Sequence, residues 1–330
     1  MSENKKRVFS GIKSSGEIHI GNYLGAIRNW VKMQDDYNNI FCVVDLHTVT
    51  IQQEPKILKR RIRELAGMLI ACGIDPAKST LFIQSHVHEH SELAWLLNCS
   101  IPIGWMQRMT QFKDKSAKNK ESVSVGLFDY PALMAADILL YDSDAVPVGD
   151  DQKQHVELTR DAAQRFNSLY GKTFVVPEPI IPKIGARIMG LDDPLQKMSK
   201  SEDGRGQAIE MLEAPDSIVK KIKRATTDSL RTLVFDEKRP AIYNLMVIYE
   251  LFSGKERSEI EEHFSTKGYG DFKKELAEVV VEGLRPIRER YNELTANPEE
   301  LDKILADGVA NAKPIASRTL ARAKKRMGLD

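Results

Sequence analysis

The first half of the chain alternates short β-branched or aromatic runs with longer amphipathic runs, and this alternation limits the possible folds more than any other feature. The short runs, at residues 8–10, 40–44, 81–84 and 145–148, have the length and composition of buried strands. Helices are expected at residues 23–33, 55–72, 91–99, 131–141 and 154–170. Strands that alternate with helices are typical of βαβ units, so the sequence predicts a parallel sheet covered by helices.

After residue 194 the pattern changes to helical runs with almost no strand candidate between them. Helices are expected at residues 208–211, 217–224, 242–252, 258–264, 272–291 and 298–327. Pro286 should kink the fifth of these helices or mark its first turn. The fold class is therefore α/β, with a Rossmann-like parallel sheet followed by an all-helical C-terminal domain.

The length of the chain also favours two domains, because a single core stops growing at about 250–300 residues and this chain has 330. We expect a catalytic domain at residues 1–206 and a helical domain at residues 207–300. Residues 301–330 should form a C-terminal helix that packs back on the first domain.

Composition excludes several classes of protein. Hydrophobic residues make up 42% and charged residues 29% of the chain, which suits a packed core and not a disordered chain. No apolar stretch approaches a membrane span and no secretory leader is visible, so we expect a cytoplasmic protein without a membrane partner. Cys42, Cys72 and Cys99 are odd in number and lie in apolar runs, which predicts reduced cysteines in the core.

The turn after the first strand is rich in glycine and leads into a helix, a place where unpaired backbone N–H groups can bind phosphates. It lacks the GxGxxG dinucleotide pattern and the GxxxxGK[ST] P-loop, which disfavours hydride transfer and ordinary NTPase chemistry. Residues 19–22 read His-Ile-Gly-Asn instead. This tetrapeptide resembles the HIGH signature of the class I aminoacyl-tRNA synthetases.

A second motif far downstream strengthens this resemblance. Residues 197–201 read Lys-Met-Ser-Lys-Ser, which matches the KMSKS loop of that family letter for letter. Lysines and hydroxyls on one polar loop suit ATP, because their charge can follow the negative charge that moves onto pyrophosphate during attack on the α-phosphate.

The resemblance extends over nearly the whole chain and narrows to the bacterial tryptophanyl-tRNA synthetases. The blocks that carry it, in matching order and spacing, are residues 9–11, 42–45, 109–113, 133–141, 146–152 and 182–187. The resemblance implies that L-tryptophan is activated with ATP to tryptophanyl-adenylate, with release of pyrophosphate, and is then transferred to the 3′ end of tRNA(Trp). It further implies Mg²⁺ bound with ATP, no prosthetic group, an anticodon-binding helical domain and a homodimer, and it gives no reason to expect DNA as a partner.

The resemblance also assigns site residues by position. The implied tryptophan-binding residues are Phe9, His47, Tyr130, Met134, Asp137, Val148 and Gln152. The implied ATP-binding residues are Lys13, Ser14, Gly21, Asn22, Gly149, Asp150, Gln152, Ile188, Lys197, Met198, Ser199, Lys200 and Ser201. The implied catalytic residues are His19, Asn22, Lys115, Lys197 and Lys200. No metal is assigned to protein ligands.

Asp137 also stands out by chemistry, because an acid in so apolar a helix needs a partner. Indole has one hydrogen-bonding group, a single N–H donor, so a buried acceptor would select tryptophan over phenylalanine or leucine. A buried salt bridge is the competing explanation for the same residue.

The sequence departs from the family pattern at three sites. Lys13 and Ser14 stand where Gln-Pro is usual, Leu46 replaces a glutamine, and Trp105 replaces a glutamate. Lys13 adds a cation beside the phosphates or the tryptophan carboxylate, so we expect altered affinity for ATP or for inhibitors. The departures are also compatible with an auxiliary enzyme that tolerates an inhibitor resembling tryptophan.

Several alternatives stay open at this point. His86, His88 and His90 could bind a metal, but the spacing favours loop residues that cap a helix or contact nothing special. The basic runs at residues 220–224 and 318–326 are either solvated helix faces or contacts to RNA phosphates. A tyrosine-specific class I synthetase, a non-catalytic RNA-binding paralogue and a free-standing nucleotidyltransferase are the rival functions.

Overall fold

The computed structural model describes residues 5–14, 16–110, 124–149, 152–180, 187–199 and 207–329. Five parallel strands in this part of the chain form a sheet with the order β3-β2-β1-β4-β5. They are β1 (Arg7–Ile12), β2 (Asn38–Val43), β3 (Thr80–Ile83), β4 (Ala145–Pro147) and β5 (Glu178–Ile180). The four predicted strands are confirmed, and so is the Rossmann-like parallel sheet. The prediction missed β5, since a three-residue edge strand containing proline has no periodic signal.

Helices cover the sheet, and those predicted for the first half are present with boundaries shifted by a few residues. Helix α1 consists of Ile20–Asn22, a π-helical turn at Tyr23–Ile27 and Arg28–Met33. The others are α2 (Asp45–Thr48), α3 (Pro55–Ala71), α4 (Glu89–Asn98), α5 (Ile103–Gln107), α6 (Val125–Leu139) and α7 (Lys153–Tyr170). The prediction missed α2 and α5, because four or five residues are too few to show helical periodicity.

The strand order fixes where a ligand can bind. The chain leaves β1 toward β2 on one side and returns to β4 on the other, so the order reverses between β1 and β4. In such sheets the crevice beyond the carboxyl ends of the strands at this point is the usual ligand site. The glycine-rich turn follows β1, and Val148 and Gly149 follow β4, so both reach this crevice.

The second half of the described chain is helical, as predicted. Its helices are α8 (Pro215–Arg224), α9 (Pro240–Ser253), α10 (Arg257–Phe264), α11 (Tyr269–Ala296) and α12 (Pro298–Met327). Pro286 lies well inside α11, so the expectation that it marks the first turn is wrong. Tyr291 and Leu301, at the end of α11 and the start of α12, pack over Gly67 of α3, one of the helices that cover the sheet.

The helix predicted at residues 208–211 is wrong, because this segment is extended. The Ile20 amide donates to the Ile209 carbonyl at 2.9 Å, and the Met211 amide donates to the Ile18 carbonyl at 3.0 Å. A helix of only four residues gains little, because forming the first turn is unfavourable. Pairing with the glycine-rich turn instead buries Ile209 and Met211.

The three cysteines are free, but only two match the prediction of core residues. Cys42 in β2 and Cys72 at the end of α3 are buried. Cys99 is exposed, because it follows the last turn of α4 on the solvent side. An apolar sequence neighbourhood did not distinguish the two environments.

Helix α12 runs along the edge of the sheet and covers β3. The Cα of Gly308 lies against the carbonyl oxygen of Leu81 in β3, with no room for a side chain between them. Further along, Arg322 Nη2 binds Asp142 Oδ1 at 2.5 Å and Lys324 Nζ binds Glu92 Oε1 at 2.6 Å. Covering an edge strand in this way hides backbone groups that could otherwise pair with another chain.

We expect Gly308→Ala to destabilise the protein, because the added Cβ meets a backbone carbonyl and the helix must move away from β3. Overpacking of this kind costs about 1–3 kcal/mol in free energy of unfolding. Gly270→Ala is the matched control, since Gly270 lies in α11 with nothing within 4 Å of the added Cβ. Urea denaturation of both variants tests this; equal stability of the two would contradict the close packing of α12 on β3.

Candidate active site

A cavity of about 350 Å³ opens at the carboxyl edge of the sheet between β1 and β4. All seven predicted tryptophan-binding residues line it: Phe9, His47, Tyr130, Met134, Asp137, Val148 and Gln152. Lys13 and Gly149, from the predicted ATP set, line the same cavity. The prediction missed the wall formed by α1, which contributes Gly25, Ala26, Asn29 and Trp30.

Asp137 lies in α6 at the inner end of this cavity with 1% of its surface exposed. Gln84 Nε2 donates to its Oδ1 at 2.6 Å, and Nδ1 of His90 lies 2.6 Å from the same oxygen. Nε2 of His47 lies 2.8 Å from Oδ2. Burial acts to raise the pKa of Asp137, but the neighbouring His47 and His90 outweigh it and lower the pKa to about 2.

This arrangement bears on both explanations of Asp137, the acceptor for an indole N–H and the buried salt bridge. The carboxylate has internal partners, two histidines and a glutamine, and they leave part of it on the cavity wall. A carboxylate can accept about four hydrogen bonds, and the described residues supply three. Asp137 is therefore an ionised acceptor that can accept one more hydrogen bond. The unused acceptor position is on Oδ2.

The expectation that the residues around His90 contact nothing special is wrong for His90 itself. His90 is fully buried and bridges Asp137 and Tyr141, whereas His86 and His88 are exposed. The spacing of His90, Leu93, Ala94 and Leu97 on α4 would have indicated an inward face. The described residues contain no group of three or more histidine, cysteine or acidic side chains placed to hold a metal ion.

Tyr130 forms the side of the cavity next to Lys13. Its hydroxyl lies 2.7 Å from Nε2 of the buried His155, so His155 supports Tyr130 from outside the cavity. Burial raises the pKa of Tyr130 to about 12, and the hydroxyl keeps its proton at neutral pH. Lys13 Nζ lies 5.5 Å from the centre of the Tyr130 ring, a cation–π distance.

The His-Ile-Gly-Asn turn forms the start of α1. The His19 backbone amide donates to Asn22 Oδ1 at 3.1 Å, so Asn22 caps the helix. His19 Nδ1 is buried and makes no hydrogen bond among the described residues. Burial, followed by the nearby charge of Lys197, lowers the pKa of His19 to about 4, so its ring is neutral at physiological pH.

The two signature motifs meet at Gly21. A Cβ on Gly21 would lie 2.9 Å from His19 Nδ1 and 3.4 Å from the Cβ of Met198. Met198 is buried, and its amide donates to the carbonyl of Ile188 at 2.9 Å. Met198 thus anchors its segment against α1, while Lys197 and Ser199 on either side of it stay exposed.

Other predicted ATP residues are placed differently or lie outside the described part of the chain. Ser14 is buried with its hydroxyl 3.1 Å from that of Thr48, and it does not line the cavity. Its hydroxyl is therefore used within the protein. Lys115, Asp150, Lys200 and Ser201 lie outside the described residues.

We expect the imidazole of His19 to titrate near pH 4, with protonation opposed mainly by burial. Lys197→Met should raise the pKa only part of the way toward 6.5, because burial is the larger cause. Histidine ¹H–¹⁵N NMR titrations of the parent and this variant provide the measurement, with His19→Gln used for assignment. Since the folded pKa is lowered, this group favours unfolding as pH falls from about 6.5 to about 4. A His19 midpoint near 6.5 in the parent would contradict the buried geometry.

Comparison with known proteins places this geometry in a family. The model of tRNA synthetases class I (W and Y) matches residues 1–285. A tryptophan–tRNA ligase of Helicobacter pylori strain ATCC 700392 is 60% identical over 326 residues, covering 99% of each chain. One from Wolinella succinogenes is 57% identical over 325 residues, covering 98% of this chain and 99% of that one.

Solved structures that resemble this chain include enzymes of the same kind as these relatives. Tryptophanyl-tRNA synthetase from Mycoplasma pneumoniae is 38% identical with a TM-score of 0.90, and 99% of this chain and 98% of that chain are covered. The enzyme from Campylobacter jejuni, solved with ADP and tryptophan, is 37% identical with a TM-score of 0.85, and 98% and 100% are covered. A tyrosyl-tRNA synthetase from Archaeoglobus fulgidus shares the fold at 21% identity and a TM-score of 0.68.

Proposed function

The chain belongs to the class I tRNA synthetases for tryptophan and tyrosine, and we propose on this basis that it is a tryptophan–tRNA ligase. It activates L-tryptophan with ATP to tryptophanyl-adenylate, releases pyrophosphate and transfers the amino acid to the 3′ end of tRNA(Trp). The observation that carries the specificity is the ionised, buried Asp137 with one unused acceptor position on the cavity wall. Indole, with a single donor on an apolar bicyclic ring, fits that wall.

Tryptophan recognition combines this acceptor with an apolar enclosure. The indole N–H donates to Asp137, while Phe9, Met134 and Val148 enclose the ring, with His47 beside the carboxylate. Tyr130 and Gln152 lie where the amino and carboxylate groups of the substrate would extend toward ATP. A site that leaves one acceptor position of a buried carboxylate unused rejects phenylalanine and leucine more strongly than an apolar pocket could.

Adenylation needs no nucleophile from the protein, because the tryptophan carboxylate itself attacks the α-phosphorus and pyrophosphate leaves. The protein aligns the two substrates and stabilises the charge that develops on the phosphates. We assign His19, Asn22 and Lys197 to this task from the described residues, together with Lys115 and Lys200 by their positions in the sequence. Mg²⁺ enters with ATP, bound to its phosphate oxygens, as part of the substrate.

Gly21 and Ile188 contact Met198, and these contacts position the Lys197–Ser199 segment that we assign to the phosphates. Ser199 is exposed in this segment. Neutral His19 can donate to a phosphate oxygen without adding a second cation next to Lys197. We assign Lys13 and Gly149 to the boundary between ATP and tryptophan, because both line the cavity. Asp150 and Ser201 keep their assignment to ATP by sequence position, and so does Ser14, although its hydroxyl binds Thr48.

Transfer RNA would bind across both regions of the chain. We propose a catalytic domain at residues 1–206, an anticodon-binding domain at residues 207–300, and a C-terminal helix at residues 301–330. On α8, Lys220, Lys223 and Arg224 are exposed and available to phosphates, whereas Lys221 binds Glu213 and the Ala208 carbonyl.

The proposed enzyme acts as a homodimer in the cytoplasm. None of the helices in the described part of the chain is both long and apolar enough to cross a membrane. The dimer follows the family resemblance, and its test is the mass of the purified protein in solution.

Amino-acid-dependent ATP–pyrophosphate exchange across all amino acids tests the function, and we expect exchange with tryptophan alone. Exchange with tyrosine would instead identify a tyrosine enzyme, and ATP binding without any exchange would indicate a non-catalytic paralogue.

Asp137→Asn should lower kcat/KM for tryptophan by about 10- to 100-fold, the range for a hydrogen bond to a charged group. Asp161→Asn, an exposed position on α7, is the charge-matched control. Equal activity of the two variants would remove Asp137 from recognition.

Lys13→Gln tests the cation that departs from the family pattern. Lys13 is half-buried beside Tyr130 on the cavity wall, so we expect its loss to raise the KM for ATP or tryptophan by about two- to fivefold. Lys6→Gln, at the opposite end of β1, removes the same charge away from the cavity. Unchanged constants for both substrates in Lys13→Gln would show that this lysine contacts neither.

A further inference from the structure

Asp137 can recognise an indole N–H only if its oxygens are held in one orientation. Oδ1 has two partners, Gln84 and His90, both at 2.6 Å, so its lone pairs are used within the protein. Oδ2 has one, His47, and keeps the unused position. The partners of Oδ1 therefore determine which oxygen faces the substrate.

His90 is the partner of Oδ1 with the most constrained hydrogen-bonding state. Its Nδ1 faces an ionised carboxylate, so Nδ1 carries the hydrogen and donates. Its Nε2 lies 2.8 Å from the hydroxyl of Tyr141, so both ring nitrogens have hydrogen-bond partners. The ring is fully buried and contacts the rings of Phe82 and Tyr141, which also contact each other.

Tyr141 links this histidine to the aromatic wall of the cavity. Its side chain is fully buried and stacks on Phe9, with the ring centres 5.6 Å apart and the planes 7° from parallel. Burial, followed by the nearby Cys42 and Asp137, raises the pKa of Tyr141, so its hydroxyl remains a donor. Tyr141 thus contacts both Phe9 of the cavity wall and His90, the partner of Asp137.

Helix α12 binds the residues next to His90 and Tyr141 in the sequence. The Ser317 hydroxyl donates to Glu89, the residue before His90, and Arg322 pairs with Asp142, the residue after Tyr141. Glu89 is buried and Asp142 has the left-handed backbone angle φ of 46°. These contacts fix the backbone on the outer side of both aromatic residues.

From this geometry we propose that His90 and Tyr141 are positioning residues for tryptophan specificity. They do not touch the substrate; they orient the Asp137 carboxylate so that its Oδ2 meets the indole N–H. The inference rests on the proposed function, in which Asp137 accepts that hydrogen.

The test uses two substrates of nearly equal shape, tryptophan and 3-(benzothiophen-3-yl)alanine, in which sulfur replaces the N–H group. The measured quantity is the ratio of their kcat/KM values in ATP–pyrophosphate exchange. A variant that only damages the fold lowers both values and leaves the ratio unchanged. A variant that misorients Asp137 lowers the value for tryptophan selectively, so its ratio falls.

The variants are chosen by where they place a donor. His90→Gln carries its amide near the position of Nε2, away from Asp137, and should reduce the ratio by roughly tenfold. His90→Asn carries an amide near the position of Nδ1 and should keep the ratio within about threefold of the parent. Tyr141→Phe keeps the ring that stacks on Phe9 and should reduce the ratio by about threefold. His86→Gln, an exposed histidine in the preceding turn, should leave it unchanged.

An unchanged ratio in both His90→Gln and Tyr141→Phe would overturn the inference and leave the proposed function intact. Tyr141→Phe decides alone if His90→Gln does not fold, since it removes only one oxygen atom. A parent that fails to exchange with tryptophan would overturn the proposed function itself, and the parent alone reveals that outcome.

Discussion

The structure depends on a negative charge buried at the carboxyl edge of a parallel sheet. An isolated carboxylate in an apolar interior would take up a proton, because burial disfavours the charged form. Asp137 remains ionised because three donors converge on it from separate elements. Gln84 follows β3, His47 lies in α2 after β2, and His90 lies in the first turn of α4. Parallel strands bring these chain segments to one edge of the sheet, so the ionised state of Asp137 depends on the sheet topology.

The same edge explains how the two signature motifs come together although about 175 residues separate them in the sequence. The turn after β1 leads into α1, and Gly21 at the start of this helix lies against Met198. Further along, Gly25 and Asn29 of α1 line the cavity with Asp137. One helix therefore contacts the Lys197–Ser199 segment at one end and lines the cavity along its side. The π-helical turn between these parts is of the kind often found at functional sites.

Much of this arrangement could be predicted from the sequence, because long periodic segments and letter-for-letter motifs carry strong signals. Four strands, the long helices and the seven residues expected to bind tryptophan, which line one cavity, belong to that part. Features set by tertiary contacts could not be predicted. Residues 208–211 are extended because the glycine-rich turn offers backbone partners, and Cys99 is exposed because α4 ends at the surface. His90 was missed because its partner lies 47 residues away in the sequence.

On this geometry we propose that the unused acceptor position on Asp137 Oδ2 receives the indole N–H. The most direct measurement is a crystal structure of the protein with bound L-tryptophan. We expect the indole nitrogen about 2.7–3.2 Å from Oδ2, with Gln84 and His90 still bound to Oδ1. An indole nitrogen directed at another group, with the Asp137 carboxylate satisfied entirely by protein donors, would contradict it.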